Sequence, residues 1–141
     1  MWLTIAGYVL SCFAIIVASP MLGLVFFPLT RFVRRFRVVA PAFMAITTAA
    51  ATGVAVLIFV WLASVMGIRL SYLMFLIPYV LSLQNDFARI ARAKRGTTPV
   101  ALIAGDDYDA GLQVKMEYGY LVGDTAGIFV PVLMLGRLPL A

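Results

Sequence analysis

The sequence predicts an all-α integral membrane protein, with about four transmembrane helices and a small cytoplasmic β-hairpin between the third and the fourth, in one polytopic domain over 1–141. Three observations carry this. Of the 141 residues, 64% are hydrophobic and 12% are charged, with a mean hydropathy of +1.05, whereas a water-soluble domain has roughly a quarter of its residues charged. Long uncharged runs recur along the chain, and basic residues gather in the connections between them. The absence of histidine removes the Ser-His-Asp triad, His-ligated zinc and haem, and the imidazole switch together. One cysteine, Cys12, allows no internal disulfide. No enzyme, metal or cofactor is expected.

The first run, Met1 to Thr30, is uncharged over about 30 residues, where a helix needs about 20 to cross the hydrocarbon; a span over about 3–29 is expected. It lacks the basic n-region of a secretory signal. The second run, Val38 to Ile68, would measure about 46 Å as helix and must tilt, giving a span at about 40–67. Pro41 suits its first turn, where a missing N–H removes no bond. The third run lies between Arg69 and Asp86, about 24 Å of helix, short enough to need its polar flanks. It is placed at about 70–87, with Pro78 expected to kink it. The last, Tyr118 to Gly136, is interrupted only by Asp124 and is placed at about 119–138.

Of the 11 basic residues, nine fall in two connections: Arg31, Arg34, Arg35, Arg37, Arg89, Arg92, Lys94, Arg95 and Lys115. Only Arg69 and Arg137 fall on the other side. The asymmetry predicts that the two connections are cytoplasmic and both termini lie outside, in a bacterial inner membrane. The connection at about 86–117 opens with Leu83, Phe87, Ile90 and Ala91 at helical spacing, so the third helix should continue with a basic exterior until Gly96 to Pro99. Beyond it, Leu112, Val114, Met116 and Tyr118 alternate with Gln113, Lys115 and Glu117, a period of two that predicts a strand. Val100 to Ala104 supplies the other arm of a hairpin, and Gly105 to Gly111 its turn. An isolated hairpin is marginal, so Leu112, Val114 and Met116 become candidates for partner docking.

Gly119, Gly123 and Gly127 recur every fourth residue and predict a face without side chains where another helix approaches closely. A weaker version, Ala45, Ala49 and Gly53, lies on the second helix. Arg31, Arg34, Arg35 and Arg37 are candidate contacts for anionic lipid headgroups as well as topology determinants; no nucleic-acid partner is expected. Asp106, Gly111 and Glu117 have EF-hand spacing, but Tyr108 and Ala110 stand where oxygens belong. An intramembrane aspartyl protease would need Gly-x-Gly-Asp, and Leu121 replaces its first glycine. Asp124 itself reads in two ways: an N-cap of a helix that starts there, or a carboxylate at an interface or permeation path.

The leading functional expectation is a non-catalytic subunit of a larger membrane assembly for secretion, transport or energy conversion, partnered by lipid and by other subunits or copies of itself. A second is a small homo-oligomeric channel or carrier using Asp124. A third follows from the first two runs joined by Arg31 to Arg37, which loosely resemble the apolar-helix, basic-loop, apolar-helix plan of conjugative pilins and imply a filament subunit.

Overall fold

The structure, a computed structural model, describes residues 1–136, 138 and 139. Its helices are α1 (Trp2–Val33), α2 (Val39–Val65), α3 (Leu73–Arg95), the short α4 (Pro99–Ala104) and α5 (Ala110–Met134). No strand occurs among the described residues. Two helices, α1 with 32 residues and α2 with 27, are long and apolar enough to cross a membrane. The four long helices alternate in direction, α2 packs along α5, and α1 and α3 complete the bundle. Arg137 and the end of the fourth expected span lie outside the described residues.

α1 is not uniform. Its hydrogen bonding widens to a π-helix over Phe13–Ala18 and tightens to a 3-10 turn over Leu24–Phe26. The π segment ends just before Ser19 and Pro20, and the ring nitrogen of Pro20 carries no hydrogen for the Ile16 carbonyl. Pro41 stands in the first turn of α2, and Pro78 lies inside α3 without ending it. α3 runs to Arg95 and stops at Gly96, whose φ of +70° is the left-handed conformation that glycine adopts without steric cost.

The hairpin does not form. Residues 99–104 are helical because Thr98 caps them, its Oγ1 accepting from Ala101 N at 3.2 Å, with Pro99 in the first helical position. Residues 110–134 are one helix, whose N-cap is Asp109: its Oδ1 accepts from Leu112 N at 3.0 Å. Asp124 is therefore no cap; it lies deep within α5. Leu112, Val114 and Met116 lie on a helix, with Met116 buried and the other two half-buried, so they present no strand edge to a partner. The alternation misled because the buried positions of this turn include polar ones: Gln113 and Glu117 are 6% and 5% exposed, while Tyr118 faces outward.

The end of the bundle that joins Met1 to the α2–α3 turn is apolar. Ile15, Val56, Phe59, Met74, Phe75, Ile128 and Val132 form its core. Phe59 and Phe75 meet edge to face with centroids 5.4 Å apart, and Tyr79 and Phe129 do so at 4.9 Å. The other end collects the nine basic residues, because it holds the C-termini of α1 and α3 and the N-termini of α2 and α5.

Candidate functional site

The seam between α2 and α5 places the site. A Cβ on Gly119 would run into the Pro41 carbonyl oxygen, and one on Gly123 into that of Ala45. On Gly127 it would stand 2.7 Å from Thr52 Cβ and 2.8 Å from Ala49 O. The glycine row of α5 thus lies on the Ala45, Ala49, Gly53 row of α2, within one chain. Such an approach leaves no room for side chains in the seam itself, and it brings Asp124, next to Gly123, directly against Thr52.

Asp124 is 2% exposed. Thr52 Oγ1 donates to its Oδ1 at 2.7 Å, and Ser82 Oγ donates to its Oδ2. Thr52 Oγ1 also lies 2.7 Å from Ser19 Oγ, so hydroxyls from α1, α2 and α3 converge on one carboxyl of α5. Asp86, one turn beyond Ser82 on α3 and 3% exposed, stands beside Asp124. Its Oδ1 has no hydrogen-bond partner among the described residues. The sequence signalled Asp124; Asp86 read only as a boundary. The i, i+4 pair Ser82 and Asp86, where the apolar first half of α3 gives way to its polar second half, was the available signal.

Toward the basic end the polar row continues. Arg89 Nε lies 2.9 Å from Glu117 Oε2, and its guanidinium sits 3.9 Å over the Tyr120 ring. Gln113 Nε2 donates to Glu117 Oε1 at 2.8 Å, while Arg34 donates to Gln113 Oε1. Burial pulls the Arg34 guanidinium below its ordinary value, with the Glu117 charge opposing. Arg37 pairs at 2.9 Å with Asp109 on the surface; Arg31 and Arg35 are exposed. Of the four expected headgroup arginines, Arg34 alone belongs to the buried row.

Chemically, the pair of acids has a deficit of positive charge. The nearest cation, Arg89, is engaged by Glu117. Two hydroxyl donors to a charged group contribute about 1.5–3 kcal/mol each, whereas each buried ion costs several kcal/mol, and two together repel. Both oxygens of Asp124 already accept a hydroxyl, whereas Asp86 Oδ1 is buried without a partner among the described residues. No group of three or more His, Cys, Asp or Glu suited to a metal occurs among the described residues. No family model, curated protein or solved structure matches the chain.

Proposed function

We propose that the chain is a small polytopic membrane carrier that moves protons through the Asp124–Asp86 pair, with α3 and α5 crossing the bilayer beside α1 and α2. The observation that supports it is Asp124, held by hydroxyls of two other helices inside the bundle, with a second, incompletely bonded acid, Asp86 of α3, beside it. Ionisable groups at such depth are costly and mark ion or proton paths. The polar row from Arg34 through Glu117 and Arg89 gives one approach to the pair, from the basic end. On the basic-residue rule that end is cytoplasmic and both termini are outside.

The leading sequence expectation, a non-catalytic subunit of a larger assembly, drew on the close-packing glycine faces and on a hairpin at 100–118; the glycine row of α5 is taken up by α2 of the same chain, and a helix at 110–134 offers no strand to extend. A filament subunit of the pilin kind would use α1, the 34–38 loop and α2, but has no use for two acids between α3 and α5. Reconstitution into vesicles tests the proposal. Under an imposed potential, vesicles with the protein should acidify faster than empty ones, and Asp124→Asn, which keeps the shape, should abolish the difference. Wild-type vesicles no faster than empty ones would overturn it, and a sodium flux without a proton flux would overturn the choice of proton.

A further inference from the structure

A cavity of about 680 Å³ opens beside the polar row, between the second half of α1, the first half of α2, α4 and the start of α5. Its walls are mostly apolar: Leu24 and Phe27 from α1, Met44 from α2, Val100 from α4 and Met116 from α5. Three arginines are among its lining residues, Arg31, Arg34 and Arg89. Only Arg89 has a carboxylate partner, Glu117, among the described residues. Arg34 is bonded to the neutral Gln113, and Arg31 is exposed with no ion pair. An apolar chamber with two arginines in no ion pair among the described residues suits an amphiphile with an anionic head: guanidinium groups bind phosphate in charge-assisted hydrogen bonds, and the walls take hydrocarbon. Free phosphate would satisfy the arginines and leave the walls bare. The volume lies within the range of small-ligand sites, about 300–1,000 Å³, enough for a headgroup and the first part of its chains.

The short helix α4 adds a second indication. Leu102 and Ile103 are 80% and 88% exposed, side by side on a helix of six residues at the basic end. Apolar side chains so placed enter the interfacial zone of a bilayer, which brings the cavity mouth to the depth of lipid phosphates.

We propose that this cavity binds one anionic phospholipid, with its phosphate on Arg31 and Arg34 and its acyl chains leaving along Leu24, Phe27 and Met44. The proposal uses none of the transport chemistry and holds for any membrane protein with this fold; it rests only on the membrane placement, which vesicle flotation tests separately. Ser19 lines the cavity and also bonds Thr52, so the bound lipid would sit two hydroxyls from Asp124.

Native mass spectrometry of the detergent-solubilised chain, titrated with phosphatidylglycerol, phosphatidylcholine or inorganic phosphate, reads this directly. One phosphatidylglycerol should be retained per chain, about tenfold more tightly than phosphatidylcholine, and the double change Arg31→Gln with Arg34→Gln should remove that preference. Because Arg34→Gln also breaks a bond to Gln113, Arg31→Gln alone, at an exposed site, should lower the affinity about fivefold. Arg35→Gln with Arg37→Gln, outside the cavity, should leave it within about twofold, and Ala104→Trp should abolish retention with every charge intact. Equal losses from the two double changes would reduce the effect to a general surface charge and overturn the proposal. Retention by Ala104→Trp, equal retention of phosphatidylcholine, or displacement by equimolar inorganic phosphate would overturn it as well.

Discussion

Around Phe59 and Phe75 the bundle is held by interlocking rings and branched side chains; around Glu117, some turns further along the bundle, it is held by two arginines, an amide and a carboxylate. The apolar end gains from dispersion and close fit, which a bilayer supplies almost as well, since lipid tails are as apolar as the side chains. The basic end gains from groups that have no comparable partner in lipid. Such a chain is expected to be positioned by its glycine seam, made specific by its polar row, and tolerant of change at its aromatic contacts.

Substitutions can break or sharpen that contrast. The largest expected effect is Gly123→Leu, which drives a side chain into the backbone of α2 and should lower the stability by about 3 kcal/mol, checked by unfolding in mixed detergent. Replacing Glu117 by Leu should cost about 1–3 kcal/mol in the same assay, because it strands Arg89 and Gln113, discounted for the 27% exposure of the Arg89 side chain. Phe59→Leu, at the apolar end, should cost about 1 kcal/mol, since it loses an edge-to-face contact but keeps most of the volume. Arg37→Gln should cost at most about 0.5 kcal/mol: its pair with Asp109 is 77% and 34% exposed. If Phe59→Leu proved costlier than Glu117→Leu, the contrast between the two ends would be reversed.

The same contrast explains what the sequence made legible. The two apolar runs become α1 and α2, and the glycine and alanine rows, visible at four-residue spacing, are the two sides of one seam. The connection at 86–117 was misjudged because hydrophobic periodicity locates the core only where the core is apolar. At Gln113, Met116 and Glu117 the buried face mixes polar and apolar groups, so sorting residues by polarity produced a period of two from a helix. The local capping signals pointed the other way: Thr98 before Pro99, and Asp109 three residues before Leu112, both mark helix starts. Asp86 was missed for a related reason, as a charge at the end of an apolar run reads as its boundary until a second helix brings Asp124 beside it.

The account turns on whether Asp124 and Asp86 hold a proton between them inside the bundle. Infrared spectroscopy of the purified chain at neutral pH measures this directly, through the carbonyl stretch of an undissociated carboxyl group, which shifts on exchange into deuterated water. The account predicts such a band in the wild-type protein and its loss or displacement in both Asp86→Asn and Asp124→Asn, whereas Asp109→Asn leaves it untouched. A spectrum with carboxylate bands alone, unchanged in character by either substitution, would contradict it.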